Sequence, residues 1–458
     1  MAARGKRRNV DEYFNGHGVF RGRIGTLVVG LSIAASFFSG ISFIVYSSFA
    51  YAHGLQIVAA ITMLPVSWIV LRRWFLRRYL AAGNRRPYDI VEARFGYPVR
   101  VCLSIMFVLL RIGWMAVIIY APALIILGAL GLGNQAFWPV VLAIGCLCTL
   151  ISSIGGLRGV IVTDAIQFLI IASGLILTIG LILLRLHLTP SVALADLRQG
   201  GHLQLFDFSL SLTAPWTIWA IVCGAIINSL GLYMADQMSL QRYLASESPA
   251  AVFGSFAINV AGAIGVIVLL VTVGSLLFLW YRHHPDPGLP ADADQVLPYF
   301  ATHQLPVGMA GLLVAAIVAA TMNTLTSGIN SLAGSLVNDF ALRLGRPRTP
   351  AELFRLGRVL SVGVGAISTA AAGFASRLGT ILQATNIVMG AFLGPMLACM
   401  MLAAGTARVR PRVLLVGMLL GAAAGAAVAL TPASSFWVGP AGFLVALLVP
   451  VLDPRRAS

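Results

Sequence analysis

The chain has 458 residues, of which 59% are hydrophobic and 10% charged, and its mean hydropathy is +0.91. So little polar surface cannot close a soluble globule of this size, which excludes a water-soluble enzyme or binding module and places the chain in lipid. The net charge of +16 rests on arginines scattered over short segments between apolar runs, with no soluble module to present them to nucleic acid; it reads as topology together with attraction to anionic lipid.

Residues 1–23 form a basic and polar lead, expected in the cytoplasm. The apolar stretch that follows is interrupted by Ser36, Ser39, Gly40 and Ser42 and reads as a first span rather than a cleaved leader. About twelve apolar windows of ~20 residues are expected in all. They begin near residues 24, 54, 98, 136, 159, 215, 250, 306, 356, 378, 411 and 435. With a cytoplasmic start, every one of the 31 Lys and Arg residues falls inside except Arg185, Arg198, Arg282 and Arg377, which fall outside, and Arg111, which lies within a span. The positive-inside rule is met, and both termini of a multi-pass cell-membrane protein are expected in the cytoplasm.

The first span, SIAASFFSGISFIVYSSFA, packs Gly and Ser at its middle, where a helix can unwind and turn carbonyls toward a cavity. Five spans on, AIVCGAIINSLGLYMADQ repeats the device with Asn228, Ser229 and Gly231. Two interrupted helices so spaced predict an inverted-repeat transporter with its site near the bilayer midplane; tight packing of small residues is the alternative. In the eighth span, ATMNTLTSGINSLAGSLVNDF sets Ala320, Asn323, Thr324, Ser327 and Ser331 on one helical stripe. Hydroxyl and amide oxygens in that pattern suit a small hard cation. The five cysteines lie in apolar spans and read as small buried hydrophobes, with neither a disulfide nor a bound metal expected. Histidines sit in loops or at span ends, His283 and His284 in a solvated extracellular loop. In the eleventh span Gly417, Gly421 and Gly425 make a small-residue face for close helix contact, expected within the chain rather than between copies.

Several collinear segments, SIAASFFSGISFIVYSSFAYAHG, RPYDIVEARFG, GWMAVIIYAPALIILGALGL, GGLRGVIVTDAIQF, DQMSLQRYLAS, DADQVLPYF, the stripe segment and GAFLGPML, resemble the sodium/solute symporter family, especially its monocarboxylate, vitamin and iodide members. The resemblance covers residues 10 to about 400. It implies an all-α membrane protein with a leucine-transporter-type core, helices 1–5 and 6–10 as inverted repeats, followed by two further helices. The corresponding divisions are a cytoplasmic segment 1–23, a core 24–404, two extra helices within 405–452 and a cytoplasmic tail 453–458. Sodium is the implied coupling ion and the only metal, with no other cofactor. Its implied ligands are the carbonyls of Ala34, Phe37 and Ala320 and the side chains of Asn323 and Thr324. Most members carry a hydroxyl where this chain has Asn323, and an amide is bulkier and brings an NH2. Family members also carry an extra helix before the segment matching VDEYFNGHGVFRG; the core is expected not to need it, since that helix lies outside both repeats.

Charges inside a span are expensive unless paired or hydrated. Asp164 aligns with a family acidic residue that borders the sodium exit route, with a structural pairing as the alternative. Asp236, followed by Gln237, Gln241 and Arg242, reads as a helix-end network or gate rather than a substrate ligand. Arg111 lies ~20 Å into the third span, where its guanidinium either receives a substrate carboxylate or forms an internal salt bridge to Asp164 or Glu92. The substrate cavity is expected between the two interrupted helices and helices 3 and 10. Its candidates by position are Ser39, Ser42, Trp114, Tyr120, Asn228, Ser229, Tyr233, Gln383 and Asn386.

These readings predict a non-enzymatic, sodium-coupled symporter carrying a small organic solute, a carboxylate or other anion, into the cytoplasm by alternating access. A single chain is expected to suffice, with oligomers left open. The rivals are a proton-coupled or uncoupled transporter on the same fold and a transporter-like ligand sensor acting with a partner chain.

Overall fold

The computed structural model describes residues 22–83, 86–129, 133–214, 216–246, 248–343, 349–375, 377 and 381–453. Within its helices some side chains, those of 36–37, 153–160 and 323 among them, are not described. The described chain is built from helices joined by turns and, over 200–214, by a longer non-helical stretch. In order they are α1 Gly22–Phe37, α2 Gly40–His53, α3 Met63–Val70, α4 Leu76–Ala81, α5 Asp89–Phe95, α6 Tyr97–Ala129, α7 Phe137–Leu186, α8 Pro190–Gln199 and α9 Ile218–Met234. After these come α10 Gln237–Ala245, α11 Pro249–His283, α12 Val296–His303, α13 Val307–Ser335, α14 Pro350–Ala375, α15 Ile381–Ala404, α16 Pro411–Ala429 and α17 Val438–Val451. Among the described residues seven helices are long and apolar enough to cross a membrane, or eight if α9 and α10 count as one bent span. Gly22–Ala35, Phe137–Leu150 and Ser435–Val451 are apolar but shorter.

The expected first span is a broken one. Phe38 and Ser39 leave the helix between α1 and α2, and α2 restarts because Ser42 Nα donates to the Ser39 carbonyl at 2.9 Å while Ser39 Nα donates to Ser42 Oγ at 3.3 Å. Gly40 has to be glycine at that restart: a β-carbon there would collide with Thr321 Oγ1 of α13 and stand 3.0 Å from Pro122 of α6. The second expected break lies elsewhere. Asn228, Ser229 and Gly231 are helical throughout α9, and the chain bends by 46° only at Ala235 and Asp236. Glycine and asparagine cost a helix interior about 1 kcal/mol or less, which packing inside the protein, such as that of Gly231 on Leu393 of α15, overrides. Asp236 ends the helix because it adopts an extended backbone and caps α10, its Oδ1 accepting from Met238 Nα at 2.8 Å.

The expected boundary between a fourth and a fifth span shows no break in the helix, although the apolar segments Phe137–Leu150 and Ile161–Leu186 fall on either side of it. α7 is helical over 50 residues, about 75 Å if straight, and passes through the point near 159 where the next span was expected to begin. Gly155, Gly156 and Gly159 weaken a helix without removing a hydrogen-bond donor, whereas a proline would break it, and α7 has none after Pro139.

The core lies where α1, α2, α7, α11 and α13 meet, with α6 and α15 closing it. The glycine face of α16 packs inside the chain: β-carbons at Gly417, Gly421 and Gly425 would stand 3.1 Å from Ala446 O, 2.6 Å from Gly442 O and 3.2 Å from Val438 O, all of α17. Of the cysteines only Cys148 and Cys399 are buried; Cys146 is exposed on α7, whose outer face carries Leu142, Leu147 and Leu150 at the surface.

Candidate functional site

At the α1–α2 break, helix dipoles end and begin and the carbonyls that lose their helical partners turn toward α13. Thr324 Oγ1 lies 3.4 Å from the Phe38 carbonyl and 3.3 Å from the Ala320 carbonyl, fully buried. Ala34 and Ala320 are fully buried as well. Three oxygens thus converge where α1 breaks beside α13. The carbonyl that Thr324 reaches is that of Phe38, one residue beyond Phe37; the side chain of Asn323 lies outside the described residues.

Phe38 also forms part of the wall of a cavity of about 210 Å³ between α2, α6, α9, α11 and α15. Of the expected substrate residues, Ser42, Trp114, Asn228, Ser229, Tyr233 and Asn386 line it. Ser39, Tyr120 and Gln383 do not. Ser39 sits buried at the start of α2, Tyr120 meets Phe137 edge-on at 6.1 Å between centroids, and Gln383 faces outward from α15. Asn386 is tied to Ser435 Oγ at 3.1 Å, and Tyr233 Oη accepts from Asn259 Nδ2 at 3.1 Å. Three polar atoms on the wall have no hydrogen-bond partner among the described residues: Asn228 Oδ1, Ser229 Oγ and Thr385 Oγ1. Thr385 was not anticipated from the sequence. The described lining carries no charged side chain.

The arginine expected to meet a substrate carboxylate is engaged elsewhere. Arg111 pairs with Asp236, not with Asp164 or Glu92, and its guanidinium lies over Phe107 at 5.9 Å. The pairing follows from the bend, which brings the Asp236 cap of α10 under α6; depth along one span gives no hint of it. Tyr88 supports the same turn by donating to the Ala235 carbonyl at 2.8 Å.

Asp164 of α7 meets Arg242 of α10 at 2.9 Å, with Ser32 Oγ donating to Asp164 at 2.8 Å and Ser327 Oγ at 3.2 Å. Arg242 also reaches Ser32 at 3.1 Å, Ser327 at 2.9 Å and the Met238 carbonyl at 3.0 Å. One buried cluster therefore joins α1, α7, α10 and the polar stripe of α13, one turn beyond Thr324. Ser331 extends it by donating to Gln241 Oε1 at 3.0 Å. A second cluster, unanticipated, centres on Arg100. It meets Asp339 at 2.6 Å, Asp89 at 2.7 Å and Glu92 at 2.6 Å. Asp339 in turn accepts from Ser104 at 2.8 Å, Ser335 at 2.9 Å and Gln237 at 3.0 Å. The signal that could have found it is the acidic residue near the end of the stripe segment, in NDF, to which no role was given.

The profile of the sodium:solute symporter family matches residues 18–421. The chain is 30% identical over 424 residues to the sodium-coupled monocarboxylate transporter 1 of Homo sapiens, covering 91% of this chain and 67% of that one. With the sodium/sialic acid symporter NanT of Aliivibrio fischeri identity is 28% over 97% of this chain and 87% of the relative. With the human sodium/iodide cotransporter it is 28%, and there the chain spans 62% of the relative's length. Among solved structures, a Na+-coupled sialic acid symporter in a substrate-bound outward-open state superposes with a TM-score of 0.87 at 23% identity, covering 98% of this chain and 92% of that one. A nucleobase-cation-symport-1 family transporter in a closed conformation gives 0.62 at 15% identity, covering 98% of this chain and 95% of that one. With break, stripe and cavity in this order on one multi-pass helical fold, the chain belongs to the sodium:solute symporter family, whose members here are transporters and not enzymes.

Proposed function

We propose that the chain is a sodium-coupled symporter that carries a small organic solute, a carboxylate or other anion, into the cytoplasm. The observation that carries this reading is the placement of Thr324 between the carbonyls of Phe38 and Ala320, with Phe38 shared between that point and the cavity wall. A sodium ion held there by Thr324, Ala320 and the α1 carbonyls near Ala34, Phe37 and Phe38 would draw the α1–α2 break onto α13 and so shape the wall that Phe38 forms. Cation and solute would then favour each other's binding by linkage.

Since Arg111 is engaged by Asp236, the solute's oxygens would be met by neutral donors, the Ser229 and Thr385 hydroxyls, and its apolar part by Trp114 and Tyr233. The buried pairs Arg111–Asp236 and Asp164–Arg242, with the Arg100 cluster, would form the inner gate. They tie α10 and the α9 bend to α6, to α7 and to the segment that follows α13, and opening the path inward would require separating them.

The test is uptake of labelled short monocarboxylates, amino acids, pantothenate and sugars into proteoliposomes, with an inward sodium gradient and with choline in its place. Accumulation that needs sodium and is lost in Thr324→Ala is the expected result. Equal uptake in choline overturns sodium coupling in favour of the proton-coupled or uncoupled reading, and binding without accumulation favours the sensor.

A further inference from the structure

On the side where the arginines accumulate, the segment LRRWFLRRY runs through a π-helical turn, Leu71–Phe75, into α4. Arg72, Arg73, Arg77 and Arg78 are all exposed, and none forms an ion pair among the described residues. Positive charge of this density collects at the cytoplasmic face of a membrane protein. Behind Arg78 opens a cleft of about 270 Å³ between α4, the end of α15 and α17. Its walls are Trp74 and Arg78 on one side and Met401, Leu402, Thr406 and Leu447 on the others. The Arg78 guanidinium lies over the Trp74 ring, 5.2 Å from its centroid, so that cation and indole face the cleft as one unit. Close by, Arg94 is spent on the carbonyls that end α15: it donates to Ala403 at 3.0 Å, to Ala407 at 2.6 Å and to Gly405. The negative end of that helix is thereby covered, and among the described residues the charged side chain that lines the cleft is Arg78.

An apolar slot capped by an arginine, an indole and a hydroxyl, at the level of the headgroups, matches one chemistry: a phosphate on a hydrocarbon chain. We propose that this cleft holds an anionic phospholipid of the cytoplasmic leaflet. Its phosphate contacts Arg78 and Thr406, and an acyl chain lies along Met401, Leu402 and Leu447. The lipid bridges α4, in the first half of the chain, to α15 and α17, in the second.

The full chain, purified in detergent, is titrated with dioleoylphosphatidylglycerol while its unfolding midpoint is followed; dioleoylphosphatidylcholine and glycerol 3-phosphate serve as the comparison probes. The expected result is a saturable rise in midpoint with phosphatidylglycerol alone. Arg78→Gln should raise the half-saturating lipid about five-fold, the factor carried by one arginine near a charged headgroup, while Arg72→Gln, outside the cleft, leaves it in place. An Arg78→Gln titration that overlays the wild type overturns the site, and a shift produced equally by glycerol 3-phosphate makes it a free-phosphate site instead. Native mass spectrometry of the unaltered chain gives an answer independent of any variant. One phosphatidylglycerol retained through exchange into phosphatidylcholine supports the proposal, and none retained refutes it.

Discussion

Separating Arg111 from Asp236 tests the buried-charge reasoning most directly. Both side chains are withdrawn from solvent, at 2% and 0% exposure, and among the described residues each is the other's only counter-charge in direct contact. Arg111→Met keeps the length that packs on Phe107 and leaves the Asp236 carboxylate buried alone. Asp236→Asn keeps an oxygen for Met238 Nα, so the α10 cap survives and only the charge goes. Removing one partner of a buried pair costs about 3–5 kcal/mol. At about 2.1 cal/mol/K per residue, the unfolding entropy of a chain this long is about 1 kcal/mol/K, so each single change should lower the unfolding midpoint by about 3–5 °C. The double change leaves no orphaned charge and should fall less than either single one, a coupling of about 3 kcal/mol. Midpoints are read from tryptophan fluorescence of the four purified proteins. If the double variant falls by the sum of the two single shifts, the pair does not stabilise the bend and the argument fails.

Other consequences can be measured beside it. Ser229→Ala removes a hydroxyl that faces the cavity without a partner, so it should raise KM for the transported solute about five-fold and leave the sodium half-saturation unchanged; no change in KM would take Ser229 out of the site. Gly421→Ala sets a methyl 2.6 Å from the Gly442 carbonyl and should cost about 1–3 kcal/mol of stability, seen as a lower unfolding midpoint, whereas Gly308→Ala, with open space around it, should not. Asp294, in the short helical turn before α12, accepts from Ser48 Oγ at 2.6 Å. Burial pushes its carboxyl above the usual carboxylate range, although the Ser48 hydrogen bond pulls it down. A carboxyl raised on folding stabilises the fold below its unfolded value of about 3.9. That contribution is lost as pH rises through the folded value. Asp294→Asn should flatten this part of the midpoint-versus-pH curve, and an unchanged slope would show that another group causes it.

The break in the first helix was legible because Ser39, Gly40 and Ser42 sit together and offer the chain local hydrogen bonds in place of helical ones. The sixth helix misled for a physical reason. Asn228, Ser229 and Gly231 look alike on paper, yet a helix tolerates them when their side chains face a cavity, and the bend is set by Asp236, whose effect depends on Arg111 of a different helix. Pairings over long separations were out of reach for the same reason: nothing local to Asp164 names Arg242, and nothing local to Arg100 names Asp339. The stripe that holds Ala320 and Thr324 was legible because helical periodicity alone aligns it, whereas which carbonyl Thr324 reaches, that of Phe38, depends on where the helix unwinds, and that point is fixed by Gly40 meeting α13.

Among the described residues, three arginines and three aspartates are buried, Arg100, Arg111 and Arg242 with Asp164, Asp236 and Asp339, and each arginine contacts one of the aspartates. Their charges cancel pair by pair. An electric field across the bilayer therefore finds no net charge to pull on in these pairs while they stay closed. A membrane voltage, which does about 2.3 kcal/mol of work per elementary charge for every 100 mV, would act on them only as a pair separates, so in the proposed cycle the voltage dependence would come from the cation, from any charge on the solute and from the opening of these pairs.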